Sequence, residues 1–417
     1  MLRLPPMVKI KQHLPRPQVE DVAAAVGKEL EKLALNKKIA GKTIAITGGS
    51  RGITGIDKIY RQVVEFIKEK GGSPLLVSAM GSHGGGTGPG QRTILTHLGV
   101  TEEKTGCPIA ASAEVIKLGY TPTHQVAVYC AREAVEADGI IVINRIKAHT
   151  AFRAPRESGL LKMLAIGLGR APGAEAIHSQ GPEVIGDIIL ELSRIVREKT
   201  NVLAGLAIVE NGYEETALLQ GLRPEQFEEE EAKLLKYAKG LMPTVPFEQL
   251  DLLLIDEMGK NFSGTGMDTN VIGRWRIHGV AEAAKPLYQR IAVLDLTAAS
   301  HGNANGVGLA DFITKRLFAK IDYQTTYLNC LTTGFVQRGM IPVILNSHRE
   351  IIEAALKTLH LSNPENAKIV RIKNTLFLDE MYCSISLLDE IQNNSNLEVI
   401  VKPREMEFDE NNNFIRG

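Results

Sequence analysis

Three histidines and one lysine in the first half of the chain are the residues best suited to chemistry. His83 and His149 each follow a strand-like run, and Lys162 and His178 lie in the segment that comes next. Near neutral pH two imidazoles can serve as base and acid, and they exchange roles when the reaction runs backwards. The pair predicts a reaction in which a proton leaves or arrives on either face of a carbon. The alternative is two unrelated surface histidines.

Lys162 and His178 each have two interpretations. Lys162 lies among apolar residues in SGLLKMLAIGLG (158–169), where poor hydration would destabilise its charge and make the amine a nucleophile. The alternative is a lysine whose stem packs on apolar surface while its ammonium group reaches water. His178 precedes a helix that opens with Pro182. Its imidazole could bind a metal or cap that helix.

Short apolar runs alternate with helix-like runs from about residue 40 onward. KTIAIT (42–47), PLLVSAM (74–80), QVAVYC (125–130) and DGIIVINR (138–145) have the character of buried strands. IDKIYRQVVEFIKEK (56–70) has apolar residues at helical spacing, and two glycines end it. Repeated alternation of this kind predicts an α/β fold with mainly parallel sheets covered on both faces.

Polar residues directly follow three of these predicted strands. Arg51 follows the first, Ser82 and His83 follow the second, and His149 follows the strand that ends at Arg145. Open parallel sheets bind ligands at the carboxyl ends of their strands. If the three strands are neighbours, both histidines open into one crevice.

The loop GSHGGGTGPG (81–90) is rich in glycine. Its backbone N–H groups could cradle a phosphate, with Ser82, Gly84 and Gly85 among the contacting residues. The alternative is a flexible loop without a ligand.

The chain of 417 residues is longer than one hydrophobic core usually supports, so we expect two domains. GLMPTVPFEQL (240–250) carries two prolines before a fresh strand, and we place the boundary there. The predicted domains are residues 1–248, which carry the cofactor and the catalytic groups, and residues 249–395, which close over the substrate. The tail, about 396–417, reads as a last strand that could return to the first domain.

Two further segments have a helical pattern. VGLADFITKRLFAKI (307–321) predicts a helix in the second half of the chain. FEEEEAKLLKYAK (227–239) carries a run of charges, which predicts a helix face in water.

Bulk composition excludes several classes of protein. Lys+Arg and Asp+Glu number 48 each, so charge favours neither nucleic acid nor an anionic membrane as a partner. Prolines interrupt the N-terminal segment where a signal peptide needs an apolar run, and no apolar run reaches the roughly 20 residues of a spanning helix. The cysteines are far apart and form no CxxC pair, which is typical of a cytoplasmic protein without structural zinc. They are Cys107, Cys130, Cys330 and Cys383.

The order of four short motifs resembles one family. GSH (81–83), KAH (147–149), SGLLK (158–162) and IH (177–178) follow one another as in the lactate racemase-type, nickel-pincer nucleotide-dependent isomerases. The resemblance implies two α/β domains with an active-site cleft between them. It also implies a cofactor that separate maturation enzymes make, a nickel-carrying pyridinium mononucleotide with sulfur arms.

The resemblance assigns a role to each of the four residues. Lys162 would carry the cofactor through a thioamide, and His178 would be the imidazole ligand of the nickel. His83 and His149 would be the paired acid and base. The implied reaction racemises or epimerises a 2-hydroxy acid: a histidine takes the hydroxyl proton, the hydrogen on carbon 2 leaves as hydride, and hydride returns to the other face of the 2-oxo acid.

The substrate-facing residues depart from the family pattern. Arg51 would clamp the substrate carboxylate with two parallel hydrogen bonds, although the turn around it lacks the acidic residue of the family. In the second half, Arg276 would face the substrate at a position where the family has lysine, and Gly273 stands where it has glutamine. These changes favour a 2-hydroxy acid that is larger or more polar than lactate. Lys260 directly follows a predicted strand, so it could meet either the substrate or a cofactor phosphate.

Two rival interpretations remain. ITGGSRGITG (46–55) resembles the dinucleotide loop of short-chain NAD(P)-dependent dehydrogenases, but Thr54 stands where the third glycine is expected. The Tyr-x-x-x-Lys pair of those enzymes is absent from the sequence. The other alternative is a ligand-binding homologue that has lost the reaction, and an adduct on Lys162 would distinguish it from an enzyme.

Overall fold

The structure, a computed structural model, describes residues 2–415. The chain divides into two compact units, one formed by Arg16–Met242 and the other by the residues up to Pro15 together with those from Pro243 onward.

Within the described residues, the strands have these bounds: β1 (Met7–Gln12), β2 (Thr43–Gly48), β3 (Ser73–Ser78), β4 (Ile109–Ala110), β5 (Val115–Tyr120), β6 (Ala127–Ala131), β7 (Gly139–Arg145), β8 (Val202–Glu210), β9 (Thr216–Leu222), β10 (Gln249–Ile255), β11 (Leu287–Val293), β12 (Phe312–Thr314), β13 (Val343–Leu345), β14 (Ile369–Ile372), β15 (Glu380–Ser384) and β16 (Leu397–Arg404). The α-helices are α1 (Val22–Glu31), α2 (Asn36–Ile39), α3 (Ile56–Glu69), α4 (Gly88–His97), α5 (Glu102–Thr105), α6 (Arg132–Glu136), α7 (Leu160–Lys162), α8 (Arg170–His178), α9 (Ile185–Lys199), α10 (Phe227–Leu241), α11 (Thr269–Ile272), α12 (Lys315–Phe318), α13 (Tyr323–Thr333), α14 (His348–Lys357) and α15 (Leu388–Gln392).

The unit Arg16–Met242 is built on a sheet in the order β4-β3-β2-β7-β8-β9. Its strands are parallel except β9, which is antiparallel to β8. Successive side chains of a strand point to opposite faces, so the apolar run of β2 serves two cores. Ile44 and Ile46 pack with α1 and α3 on one face, and Ala45 packs with α9 and α10 on the other.

The second unit has a sheet in the order β13-β12-β11-β10-β14-β15-β1-β16. The strands from β13 to β14 are parallel, and β15, β1 and β16 follow with antiparallel pairings. Here too the apolar residues of a central strand alternate between two cores. Leu253 and Ile255 face one core, and Leu252 and Leu254 face the other, beside α14. The predicted α/β class with mainly parallel sheets is confirmed.

Two predicted elements differ from the structure. The run 125–130 was expected in a parallel sheet, but β6 pairs only with β5, as an antiparallel ribbon outside the large sheets. The helix predicted over 307–321 is wrong over most of its length, because Phe312–Thr314 form the buried strand β12. Only Lys315–Phe318 are α-helical, and Val307–Leu309 form a short 3-10 turn. Phe312 and Ile313 pair with both β11 and β13, and burial between two strands outweighs the helical spacing of the sequence.

The two units differ from the predicted domains at both ends of the chain. The first strand, β1, lies between β15 and β16 in the sheet of the second unit rather than with residues 16–242. The tail strand β16 pairs with β1, so the tail joins the second unit instead of returning to the first.

No helix within residues 2–415 is both long enough and apolar enough to cross a membrane.

Candidate active site

In the sheet of the unit Arg16–Met242, the chain winds outward from β2 in two directions. It adds β3 and β4 on one side, and later β7 and β8 on the other. The carboxyl ends of β3, β2 and β7 therefore meet where the winding reverses, because these neighbours are parallel. Open α/β sheets bind ligands at this position. The three strands that precede Arg51, His83 and His149 are thus neighbours, which is the condition for a shared crevice.

His83 is anchored through one of its ring nitrogens. Its Nδ1 lies 2.8 Å from the carbonyl oxygen of Met80 and 2.9 Å from the hydroxyl oxygen of Ser50. Because a carbonyl only accepts, we assign the proton of the neutral ring to Nδ1. That tautomer puts the basic lone pair on Nε2, the atom that a general base uses.

His149 is held in the opposite sense. Its Nδ1 accepts a hydrogen bond from the backbone N–H of Ala151 at 3.2 Å, so the proton of its neutral ring is assigned to Nε2. The ring stacks on Phe152 with 4.3 Å between ring centroids. The two rings are therefore anchored through opposite hydrogen-bonding roles of Nδ1, and the assigned tautomer of His83 makes Nε2 its basic atom.

The glycine-rich loop after β3 needs its glycines for backbone reasons. Gly84, Gly85 and Gly86 have φ near +66 to +68°, a region that other residues rarely adopt. A Cβ atom at Gly84 would lie 2.5 Å from the backbone of Gly90, so the loop folds tightly on itself. Ser82 beside it is exposed. The contact of Ser82, Gly84 and Gly85 with a cofactor stays a prediction.

A buried carboxylate holds the loop that carries His149. The side chain of Glu157 is fully buried and accepts the backbone N–H of His149 at 2.7 Å and the Lys239 ammonium at 2.7 Å. A bridge between Lys147 and Ser158 closes the same loop. These contacts fix the position of the His149 backbone relative to the end of β7.

A second buried carboxylate caps the turn that carries Lys162. Glu231 of α10 accepts the N–H of Leu161 at 3.0 Å and also that of Leu160, and it is almost completely buried. Burial raises the pKa of Glu231 to about 7. A Cβ atom at Gly159 would lie 2.5 Å from this carboxyl group, so only glycine allows the close approach. The turn continues as a π-helix over Met163–Gly167, a conformation that is frequent at functional sites.

The amine of Lys162 is poised to lose its proton. Burial and then the positive charge of Arg51 lower its pKa to about 8, against a smaller opposing effect of Glu157. His178, at the end of α8, also has a lowered pKa, because of burial and then the charge of Lys162. The structure therefore brings Arg51, Lys162 and His178 into one electrostatic neighbourhood. The role of Lys162 as a nucleophile stays a prediction, with which its lowered pKa is consistent.

Arg51 adds to a local excess of positive charge. Its side chain is exposed, yet desolvation by the surrounding protein and then the charge of Arg145 lower its pKa. Arg145 forms an ion pair with Glu210. An anionic ligand at Arg51 would relieve the remaining repulsion.

The dehydrogenase interpretation meets an obstacle at the start of α3. The backbone N–H of Thr54 donates to a carboxylate oxygen of Glu210 at 2.9 Å. In a dinucleotide site, the pyrophosphate occupies the N-terminus of this helix. A carboxylate already bound there would repel it.

Residues 2–415 contain no group of three or more His, Cys, Asp or Glu side chains arranged to hold a metal ion. The four cysteines are all buried as free thiols. A metal at His178 would thus need most of its ligands from a bound cofactor.

The predicted substrate residues of the second unit are engaged with protein atoms. The ammonium of Lys260 donates to the carbonyl oxygen of Gly264 at 2.7 Å and to Asn329 at 2.8 Å. The Arg276 guanidinium binds the carboxylate of Asp311 at 2.9 Å and the carbonyl oxygen of Gly308.

Gly273, where the resemblance expects glutamine, serves the backbone. It ends α11 with φ of +65°, and a Cβ atom there would lie 2.0 Å from the carbonyl oxygen of Pro286. A larger side chain at this position would require the backbone to move.

The sequence interpretation missed the two carboxylates. Glu231 was counted in a solvated charge run, yet Phe227, Glu231, Leu234 and Leu235 share the buried face of α10. Glu231 occupies a position of the helical repeat at which apolar residues otherwise occur, and this spacing could have identified it as a buried acid. No comparable pattern marks Glu157, whose role depends on a loop contact with Lys239.

Comparison with known proteins agrees with this architecture. A family described as a domain of unknown function, DUF362, matches residues 48–221, which include the three strand ends and the turn of Lys162. Among solved structures, the lactate racemase apoprotein from Thermoanaerobacterium thermosaccharolyticum superposes with a TM-score of 0.54 at 12% identity, covering 89% of this chain and 98% of that chain. The chain has a lactate racemase-like fold. None of the curated proteins matches the sequence significantly.

Lys162 should react as an unusually acidic lysine. We expect its acylation by an amine-selective reagent to rise with an apparent pKa of about 8 rather than the ordinary 10.5, because only the neutral amine reacts. In Arg51→Met the midpoint should move upward, since a neighbouring positive charge is removed. Peptide mass spectrometry over a pH series measures both, with Arg61→Met on the exposed face of α3 as control. A midpoint near 10.5 in the unmodified chain would contradict the assignment.

Glu231→Gln should loosen the turn of Lys162. The amide replaces one acceptor oxygen by a donor that faces a backbone N–H, so the free energy of unfolding should fall by about 1–3 kcal/mol. Hydrogen exchange at residues 160–162 should become faster. Exchange mass spectrometry above pH 7 measures this rate. The control is Glu230→Gln, since the carboxylate of Glu230 binds Lys233 on the surface of the same helix. Equal exchange in the two variants would remove the capping role.

Proposed function

We propose that the protein racemises or epimerises a 2-hydroxy acid with a nickel-pincer nucleotide tethered to Lys162. The observation that carries the proposal is the opposite hydrogen bonding of Nδ1 in His83 and His149, which follow β3 and β7, the strands on either side of β2. A reaction that inverts a carbon centre needs a proton acceptor and a proton donor together. The lactate racemase-like fold supports the same proposal.

The residues fit the cofactor in three respects. An amine with a pKa of about 8 is sufficiently deprotonated at neutral pH to form a covalent link, as Lys162 would have to. His178 offers a single imidazole, which suits a metal whose other ligands belong to the cofactor. The charge of Arg51 suits an anionic nucleotide or substrate. When bound, the cofactor supplies reversible removal of a hydride from carbon 2.

The protein residues then bind, orient and move protons. Arg51 holds the substrate carboxylate with a bidentate pair of hydrogen bonds. Nε2 of His83 takes the hydroxyl proton from one enantiomer, and His149, with its ring protonated as imidazolium, returns a proton as the hydroxyl group reforms. In the reverse direction the two rings exchange roles.

The second unit would contribute to substrate choice. Lys260 and Arg276 are our proposed contacts, and each would have to exchange a present partner for the substrate. Arg276 would leave Asp311, and Lys260 would leave Asn329. Because Gly273 cannot carry a glutamine side chain without backbone movement, we propose a 2-hydroxy acid other than lactate, larger or more polar.

The chain should gain a covalent adduct and stoichiometric nickel when co-expressed with cofactor-maturation enzymes. Both should be absent from Lys162→Ala, and both should be absent without the maturation enzymes. Intact-protein mass and elemental analysis measure them. A folded, matured sample with neither adduct nor nickel would favour the ligand-binding homologue. Turnover in a sample that never met the cofactor would exclude the proposed mechanism.

His83→Ala and His149→Ala should each abolish the acid–base step. We expect turnover of the matured enzyme to fall by at least about 100-fold in each variant, the usual scale of general acid–base catalysis. The adduct on Lys162 should still form. Loss of optical activity in a series of 2-hydroxy acids measures turnover, with His97→Ala on exposed α4 as control. Retained turnover in either variant would remove the paired acid–base model.

A further inference from the structure

The second unit carries a large exposed apolar surface that the proposed chemistry does not use. On α13, Leu328 is 62% exposed and Leu331 is 70% exposed, and Tyr327 lies on the same side of the helix. Val336 and Met340, which follow the helix, are 53% and 57% exposed. Soluble proteins rarely leave clustered apolar side chains in water unless a partner covers them.

The same surface lacks charge. Between Asp322 and Arg349, Arg338 is the only Lys, Arg, Asp or Glu, although such residues make up 23% of the chain. Arg338 is buried, donates to the backbone oxygen of Trp275 and lies 4.8 Å from the ring centroid of Phe335. Depletion of charged residues together with exposed aromatic and aliphatic side chains is typical of the core of an interface.

The turn that follows α13 packs against the helix and leads into β13. A 3-10 turn over Val336–Gly339 packs on α13, where a Cβ atom at Gly339 would lie 2.9 Å from the sulfur of Cys330 and 3.5 Å from the ring of Tyr327. Met340 follows this turn, and β13 begins three residues later. Val343 of that strand is 56% exposed. We call α13, the turn and β13 together the α13 surface.

β13 is also the edge of the eight-stranded sheet. It pairs with β12 on one side, and no other strand within residues 2–415 pairs with its opposite side. Natural sheets usually protect such edges with lysine or other charged side chains. β13 and its flanking residues carry none between Arg338 and Arg349, so charge does not protect this edge, although β13 is only three residues long and follows Pro342.

We propose that the α13 surface is the interface of a homodimer in which two copies of the chain meet across a two-fold axis. A two-fold axis brings a surface against itself, so any charged residue near the axis would meet its own copy and repel it. The scarcity of charge in the segment suits this condition, and the one cation bonded to α13, Lys260 on Asn329, also donates to the carbonyl oxygen of Gly264. If the axis is perpendicular to β13, the two β13 edges run antiparallel, which allows them to pair.

The charge pattern also argues against a membrane as the occupant. Segments that lie on membrane surfaces usually add lysine and arginine around their apolar face. The α13 surface has no exposed cation between Asp322 and Arg349.

The test is the mass of the intact protein in solution. Light scattering after size-exclusion chromatography should give twice the chain mass of 45.5 kDa for the unmodified protein. Leu331→Glu and Leu328→Glu should each give the chain mass, because two carboxylates would be buried against each other. Leu287→Glu is the matched control, since Leu287 is 54% exposed on β11, outside the α13 surface, and it should leave the dimer intact.

Circular dichroism and thermal unfolding will show whether each variant folds. A monomer at every soluble concentration would overturn the proposal, whether or not the protein binds neutral lipid vesicles. A dimer that survives both Leu331→Glu and Leu328→Glu in folded protein would overturn it too, because the contact would then lie elsewhere. These outcomes do not depend on the proposed reaction.

Discussion

The two buried carboxylates of Glu157 and Glu231 hold the segment on which the candidate site depends. Burying an ionised carboxylate costs free energy unless its oxygens are bonded. Here most of the acceptors are satisfied by backbone N–H groups of the segment between β7 and the π-helix. The contacts that satisfy the acids therefore also fix His149 and Lys162. Helix α10 supplies Glu231 and, through Lys239, a cation for Glu157, so one helix clamps both ends of the segment.

The site also concentrates like charge. Arg51 lowers the pKa of Lys162, and Lys162 lowers the pKa of His178, because each positive charge disfavours the next. This repulsion is a cost to the ligand-free protein that a bound anion relieves. After burial, which is the larger cause, it also contributes to lowering the pKa of Lys162 to about 8. Functional sites often combine burial and neighbouring charges in this way.

Much of the fold was accessible from patterns in the sequence. Short apolar runs bounded by glycine identified β2, β3 and β7, because a strand buried on both faces needs apolar residues at nearly every position. The same rule failed for β12, where three residues are too few to outweigh a helical pattern around them. It failed for β6 as well, since an apolar run does not reveal which strand it pairs with. Glu231 was hidden inside a run of acids, of which only this one faces the core.

The sequence by itself determined the class of fold and the order of the candidate catalytic and cofactor-binding residues. The periods of strands and helices and the short motifs are set by residues close together in the chain, so they can be identified without the structure. It also identified Lys162 as a lysine among apolar neighbours. Only the tertiary structure decided the partners of Nδ1 in His83 and in His149, because Met80 and Ala151 make those hydrogen bonds through backbone atoms that have the same chemistry in every residue. It likewise placed β1 in the second unit and Arg51 beside Lys162, because pairings between distant segments depend on how the sheets assemble.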